Sequence, residues 1–260
     1  MSTAPRISPR PALAWLIGLL YGPLFIGLLL SSGVDYDDIV ASTDNLVKAV
    51  VIPLAILTVA VAGLVTWLGW WRPVLDDDRP AARWTIAIPI VFAVTIVIGI
   101  DFGRVADLEP SFLVWAAVGT LMVGFCEEIV YRGIAVVGFR PAYSELRVWL
   151  FSSLLFALLH AWNLFAGQSL ANTVQQLVFT FVLGSVLYAC RRASGTLLVP
   201  ILLHAGWDWI SFTSTSDAFK DPADLVDPRT FNPAFVGLVV MVVLFVVAAR
   251  KLLHPPPAAA

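Results

Sequence analysis

The composition of the chain is that of an integral membrane protein. Of its 260 residues, 59% are hydrophobic and 13% are charged, whereas a soluble globular protein carries roughly 25% charged residues. This excludes a soluble enzyme, a disordered chain, a collagen and a disulfide-rich scaffold. The net charge is -2 and no long block of like charge occurs, so no nucleic-acid partner is expected. Because spans take up most of the length, we expect one membrane domain over residues 1–260.

Eight apolar runs follow one another, each long enough or nearly long enough to cross a bilayer as a helix. They cover residues 12–31, 46–71, 84–100, 111–137, 147–165, 170–190, 196–212 and 233–249. The first follows Arg6 and Arg10 as a signal peptide does, but it exceeds the usual apolar core and no small-residue cleavage site follows near Ser31. We therefore expect a retained helix and an all-α polytopic fold of about eight membrane-spanning helices.

The basic residues divide unequally between alternate loops, and short cytoplasmic loops carry the excess of Lys and Arg. Eleven of the sixteen fall on one side: Arg6, Arg10, Arg72, Arg79, Arg83, Arg140, Arg147, Arg191, Arg192, Arg250 and Lys251. The other side carries Lys48, Arg104, Lys220 and Arg229, and Arg132 lies within a span. We therefore predict that both termini are cytoplasmic, in the plasma membrane if the host is prokaryotic.

Aspartates gather in two of the opposite loops and in one triplet on the basic side. They are Asp35, Asp37, Asp38 and Asp44, then Asp217, Asp221, Asp224 and Asp227, and the triplet Asp76, Asp77 and Asp78. Such runs form either solvated loop surface or cation sites. For the triplet, the flanking Arg72, Arg79 and Arg83 favour solvated surface.

Six ionisable side chains lie inside the apolar runs: Glu127, Glu128, Arg132, His160, His204 and Asp208. A charged group near a helix centre costs about 3 kcal/mol in lipid, so the four that are not histidines would together cost about 12 kcal/mol if unpaired. The stability of a whole domain is only about 5 to 15 kcal/mol. These groups must therefore pair, lose charge or line a wet cavity, and each option gathers them inside the bundle.

Helical spacing separates the two glutamates, because adjacent residues point about 100° apart whereas residues four apart share a face. Glu128 shares a face with Arg132, and we expect a structural ion pair. Glu127 is left without a local cation and is available for chemistry. His204 and Asp208 are also four apart and project together. A single histidine could be only a hydrogen bond between helices, but these groups together suit general acid–base catalysis.

Three short motifs carry these residues in order along the chain. Residues 126–133 read C-E-E-I-V-Y-R-G, residues 156–160 read F-A-L-L-H, and residues 204–208 read H-A-G-W-D. They resemble the E-E-x-x-x-R with its following Gly, the F-x-x-x-H and the H-x-x-x-N/D of the CAAX protease and bacteriocin-processing family. This family of intramembrane proteases includes the type II CAAX prenyl endopeptidases. The resemblance covers about residues 111–212, the expected catalytic core.

The resemblance implies a role for each residue of these motifs. Glu127, with His160, would activate a water for attack on a peptide carbonyl, and His204 and Asp208 would stabilise the oxyanion. The last residue of the third motif, Asp208, differs from the prenyl endopeptidases of this family, which commonly carry Asn there. An ionised aspartate would repel a developing oxyanion, so three roles stay open for Asp208: it is protonated, it orients His204, or it binds a metal.

The metal requirement is a separate question. Two histidines with carboxylates suffice for a three-ligand zinc site with an open water position, and members of the family are often described as metalloproteases. The chain has no H-E-x-x-H, and the same residues permit a glutamate-type, metal-free activation of water. We slightly prefer the metal-free mechanism.

The expected function is that of an intramembrane endopeptidase acting on membrane-associated proteins or peptides through a hydrated intramembrane cavity open to the cytoplasm. Two other classes also fit buried charges in a membrane protein. One is a proton- or ion-coupled transporter, and the other is a non-catalytic immunity or adaptor protein in which the charges only hold helices together. The residues specify neither the substrate, nor its prenylation, nor the oligomeric state.

Overall fold

The computed structural model describes residues 5–79, 81–213 and 233–253, and each of the eight apolar runs overlaps a helix there. We number these helices α1 (Pro11–Ser31), α2 (Thr43–Leu68), α3 (Arg83–Ile98), α4 (Pro110–Phe139), α5 (Glu145–Leu159), α6 (Leu170–Ser194), α7 (Leu198–Thr213) and α8 (Pro233–Leu253). Helix α5 continues as a 3-10 segment, His160–Ala166. No β-strand occurs in the described ranges, so the all-α class is confirmed for them.

Within the described ranges, five helices are long and apolar enough to cross a membrane: α1, α2, α4, α5 with its 3-10 extension, and α6. Helix α3 is a shorter apolar helix. Helix α7 has 16 residues, which at 1.5 Å per residue is about 24 Å, less than the roughly 30 Å of a bilayer core. The expectation of several membrane-spanning helices is confirmed, and the count of about eight is not.

The start of α7 shows why an apolar run overestimates a helix. The run begins at Thr196, but Thr196 forms an isolated antiparallel bridge with Asp76. The next amide, of Leu197, donates to the carbonyl of Leu75 at 2.8 Å. These residues are extended because they hydrogen-bond to another loop, so the helix begins only at Leu198.

Alternate helix ends gather at one end of the bundle, which we call the arginine end. It contains residues 69–79, 81–82, 140–144 and 194–197 and the last turn of α8. The guanidinium of Arg192 donates to the carbonyl of Leu252 in α8, and the amide of Arg6 donates to the carbonyl of Leu68 at 3.1 Å. This grouping agrees with the alternation of basic loops, while the side of the membrane on which it lies stays a prediction.

The aspartate triplet at the arginine end differs from the expected solvated surface. Asp78 is 91% exposed, but the side chain of Asp77 is fully buried. Arg140 Nη2 donates to both Asp77 oxygens, at 3.1 and 2.9 Å, and the Nε atoms of Arg191 and Arg192 lie 3.6 and 3.4 Å from Oδ2. The interpretation as solvated surface is therefore wrong for Asp77, because buried guanidinium groups need a buried anion.

A second acid completes this network. Glu145, the first residue of α5, accepts from Arg140 at 2.8 Å and from Arg192 at 3.1 Å, and it also pairs with Arg79. The network thus joins the loop before α3, the start of α5 and the end of α6. Burial by itself raises the pKa of Asp77, but the surrounding arginines outweigh it and hold that pKa below its ordinary value.

The acidic loops at the opposite end are described in part. Asp44 pairs with Lys48 at 2.6 Å on an exposed surface, the solvated arrangement expected of such a loop. The second loop lies outside the described residues. This holds for Asp217, Asp221, Asp224, Asp227, Lys220 and Arg229.

Candidate active site

The two glutamates lie at the point where α4 changes its helical repeat. The α-helical part of α4 ends at Glu128, and the next segment, Ile129–Ile134, is π-helical. Single π-helical turns are rare and occur frequently at functional sites. Both glutamates are buried in the bundle interior, so neither carboxylate faces lipid.

Glu128 and Arg132 form an ion pair within the helix. Arg132 Nη1 donates to Glu128 Oε1 at 2.7 Å, and both side chains are fully buried. The guanidinium carbon also lies 3.9 Å from the ring centroid of Phe156 in α5, within the distance of a cation–π interaction. Loss of either charge would leave the other buried and unpaired, which is strongly destabilising.

A glycine lets α7 approach this segment. A Cβ atom on Gly124 would lie 2.5 Å from the carbonyl oxygen of Ile201 and 3.1 Å from the amide of Ala205, distances that no larger residue tolerates. The close approach brings His204 of α7 against α4. His204 Nδ1 lies 3.0 Å from Glu128 Oε1, so this one oxygen accepts from both Arg132 and His204.

The second nitrogen of His204 faces the other two acids. His204 Nε2 lies 3.5 Å from Asp208 Oδ2 and 3.9 Å from Glu127 Oε2. Glu127 Oε2 is buried and has no hydrogen-bond partner among the described residues. The structure therefore brings Glu127, Glu128, His204 and Asp208 together around one imidazole ring.

His160 lies at the junction between α5 and the 3-10 segment. Its Nδ1 is 3.1 Å from the carbonyl oxygen of Phe156. A carbonyl can only accept, so Nδ1 carries the hydrogen and the lone pair is on Nε2. This is the tautomer that a proton acceptor at Nε2 requires.

Phe156 connects the two histidines. Its ring contacts His160 with a centroid distance of 5.3 Å and His204 with one of 5.5 Å, both nearly edge to face. Within the described part of the chain, His160 makes no hydrogen bond or ion pair with Glu127. His160 thus shares Phe156 with His204 and is not in direct contact with the carboxylates.

Asn163, three residues after His160, has partners outside the group of acids and histidines. Its amide donates to Gln176 Oε1 at 2.9 Å and to the hydroxyl of Tyr36 at 3.2 Å. This cluster lies at the end of the bundle opposite the arginine end. His160 lies at the end of α5 that is remote from the arginine end, three residues before Asn163. The side of the membrane on which a cavity would open therefore stays a prediction.

A zinc site needs donor atoms that lie about 2.0 to 2.3 Å from the ion and converge on one point. Among the residues that the structure describes, no group of three or more His, Cys, Asp or Glu side chains is arranged to hold a metal ion. The described donor set therefore does not fit a zinc site, and the mechanism that we propose uses none.

The comparison with protein families agrees with the motifs. Residues 109–210 match the family model described as "Type II CAAX prenyl endopeptidase Rce1-like". This confirms the resemblance to the CAAX protease and bacteriocin-processing family over nearly the same residues as the sequence predicted. No curated protein and no solved structure matches the chain. The segment from the start of α4 to within α7, which carries every candidate site residue, is therefore Rce1-like in sequence.

Proposed function

We propose that the chain is an intramembrane endopeptidase in which Glu127 activates a water for attack on a peptide bond. One observation carries this proposal. Glu127 Oε2 is a buried carboxylate oxygen without a partner among the described residues, and it faces a histidine whose other nitrogen is held by Glu128. A buried carboxylate oxygen that makes no hydrogen bond is suited to accept a proton during a reaction.

Glu127 and His160 would share the proton transfers. Glu127 accepts a proton from water as the water oxygen bonds to the carbonyl carbon of the substrate. The C–N bond then breaks, and the same proton passes to the leaving amine, either directly or through the lone pair on His160 Nε2. The products are a carboxylic acid and an amine, so no other reactant is needed.

His204 would stabilise the oxyanion. With both nitrogens protonated, it donates from Nδ1 to Glu128 and has an N–H at Nε2 for the developing negative charge. The ion pair between Glu128 and Arg132 would fix this ring, because the same Glu128 oxygen contacts both. The role of Glu128 in this proposal is therefore to position His204 as well as to neutralise Arg132.

Asp208 would orient His204. Its distance of 3.5 Å from His204 Nε2 suits a carboxylate that favours the protonated ring in the free protein. When substrate is bound, the N–H at His204 Nε2 would donate to the oxyanion instead of to Asp208. The family's usual Asn would serve as a neutral partner at the same place.

The protein would act as one membrane domain over residues 1–260, with about eight spans around a hydrated cavity. Water must reach Glu127 for hydrolysis, so a dry core is incompatible with this function. The substrates proposed are membrane-associated proteins or peptides, including prenylated C-terminal segments, as the name of the matching family suggests.

Quantitative proteomics of membrane peptides tests this function. Cells with the wild-type protein should contain cleaved peptides that are absent from cells with Glu127→Gln, while both proteins accumulate equally. A chelator arm reports whether a metal is required. Equal cleavage in both strains would contradict the protease proposal, loss of Glu127→Gln from the membrane would support a purely structural role, and altered ion uptake without altered peptides would support a transporter.

A further inference from the structure

Helix α6 carries none of the candidate site residues, but one of its glycines lies directly against them. Gly184 is buried in the interior of this helix. Glycine inside a helix is less favourable than alanine, so it is expected where a close approach excludes a side chain. A Cβ atom on Gly184 would lie 2.8 Å from Arg132 Nη2 and 2.9 Å from Phe156 Cδ1. The glycine therefore leaves the space that this guanidinium and this ring require.

Neither of these two neighbours can move away without disturbing the site. The guanidinium of Arg132 donates to Glu128 at 2.7 Å and lies 3.9 Å from the ring centroid of Phe156. The Phe156 ring is fully buried, and it contacts the rings of His160 and His204. Close-packed interiors transmit a displacement from one side chain to the next. A methyl group added to α6 at this point would therefore displace the ring on which both histidines pack.

We propose that Gly184 is a positioning residue for the peptidase reaction proposed above, and this inference rests on that proposed function. Gly184 leaves room for the Phe156 ring, and that ring sets the separation of the two histidines. The ring centroid lies 5.3 Å from that of His160 and 5.5 Å from that of His204. The proton transfer assigned to His160 and the oxyanion stabilisation assigned to His204 require both rings at the same peptide bond. A misplacement of about 1 Å can lower a rate by about a hundredfold.

Gly184→Ala tests this role by overpacking the contact. We expect kcat per folded molecule to fall at least about tenfold while KM stays within about twofold, because the histidines move and the bound substrate keeps its other contacts. Weaker folding alone would lower the amount of folded protein and leave kcat per folded molecule unchanged. The melting curve of each variant gives the folded fraction at the assay temperature.

Two further variants separate positioning from general overpacking. A Cβ atom on Gly18 in α1 would lie 2.8 Å from Leu155 Cδ1, so Gly18→Ala makes an equally close contact that falls on an aliphatic side chain of α5. It should keep the wild-type kcat per folded molecule. Phe156→Leu removes the ring without adding an atom to α6, so it should reproduce the loss of kcat even if Gly184→Ala does not fold.

The full-length proteins are compared in liposomes on two substrates: a farnesylated peptide ending in Cys-aliphatic-aliphatic-X, and membranes from cells that lack the protein. New peptide termini are counted by mass spectrometry, with Glu127→Gln as the inactive reference. If Gly184→Ala or Phe156→Leu keeps the wild-type kcat, or Gly18→Ala loses as much kcat as Gly184→Ala, the positioning role is wrong and the proposed function stands. If the wild type cuts neither substrate, or Glu127→Gln cuts as well as the wild type, the proposed function itself is wrong.

Discussion

His204 is the residue on which the charges of the candidate site converge. Its Nδ1 is bound to Glu128, while its Nε2 faces Asp208 at 3.5 Å and Glu127 at 3.9 Å. A neutral ring protonated on Nδ1 would direct its Nε2 lone pair at two carboxylates. The arrangement is therefore suited to a doubly protonated ring, which the oxyanion role that we propose for His204 requires in a site with three acids.

The orienting role that we propose for Asp208 predicts different effects of two substitutions. Asp208→Asn should keep cleavage activity within about threefold, because an amide oxygen still accepts from His204 and an amide N–H does not repel an oxyanion. Asp208→Ala should lower kcat/KM by at least about tenfold, since His204 loses its partner. Both are measured as rates of peptide cleavage in liposomes. A larger loss in Asp208→Asn than in Asp208→Ala would contradict the orienting role.

The residue types of the site could be predicted from the sequence, but their contacts could not. The cost of burying charge indicated that Glu127, His204 and Asp208 lie inside the bundle. The contact between His204 and Glu128 depends on how closely α7 packs against α4, which no spacing within one helix specifies.

At the scale of the helices, the separation of α4 and α7 determines whether His204 can contact Glu128. Gly124→Ala would introduce a Cβ atom 2.5 Å from the backbone oxygen of Ile201, so the two helices must separate. We predict a lower melting temperature and a loss of cleavage together, because His204 moves away from Glu128. Overpacking of this kind costs about 1 to 3 kcal/mol.

Gly63 in α2 is the matched control for this prediction. A Cβ atom there would meet nothing within 4 Å, and alanine favours a helix over glycine by about 1 kcal/mol. Gly63→Ala should therefore leave activity unchanged and stability equal or higher. Equal behaviour of the two variants in thermal melting and cleavage assays would show that the spacing of α4 and α7 does not matter.

The starts of two helices that Pro marks were predicted to within one residue, and some helix ends were predicted less well. Helices α1 and α4 begin at Pro11 and Pro110, whereas α6 continues beyond the predicted residue 190 to Ser194, where Gly195, with a φ of 75°, ends it. The π-helical segment after Glu128 has no such local signal. An apolar run predicts a helix, but it does not distinguish the π-helical from the α-helical repeat.

At the scale of the whole molecule, the buried ionic network holds the arginine end together. Asp77→Asn should lower the free energy of unfolding by about 3 kcal/mol at neutral pH, because it removes one of the two buried anions of the network and leaves Glu145 alone to balance the buried guanidinium groups. The folded-state pKa of Asp77 is lowered, so its contribution is present above the ordinary aspartate pKa of about 3.9 and is lost as the pH falls through the folded pKa. Thermal melting as a function of pH measures both effects.

Asp78→Asn is the control for the network. Asp78 is 91% exposed and lies 3.8 Å from Arg140, and exposed pairs contribute about 0 to 1 kcal/mol. Its melting curve should therefore match the wild type at every pH. If Asp77→Asn also melts like the wild type, the network does not stabilise this end of the bundle.

The orientation of the molecule in the membrane gives a further prediction. Both native cysteines are buried, so a cysteine introduced on the surface can be labelled selectively. Asp78→Cys, at the arginine end, should react with a membrane-impermeant thiol reagent only from the cytoplasmic side, and Asp44→Cys only from the outside. Labelling in the opposite sense would reverse the topology inferred from the basic loops.

The central claim is that Glu127 activates the hydrolytic water, and one rate comparison tests it most directly. Wild-type protein and Glu127→Gln are reconstituted in liposomes at equal amounts, and cleavage is followed by the appearance of new peptide termini. The account predicts at least about a hundredfold lower rate for Glu127→Gln, the size of effect expected for a lost general base, with an unchanged melting temperature. Cleavage of the same bonds at the wild-type rate by Glu127→Gln would contradict it.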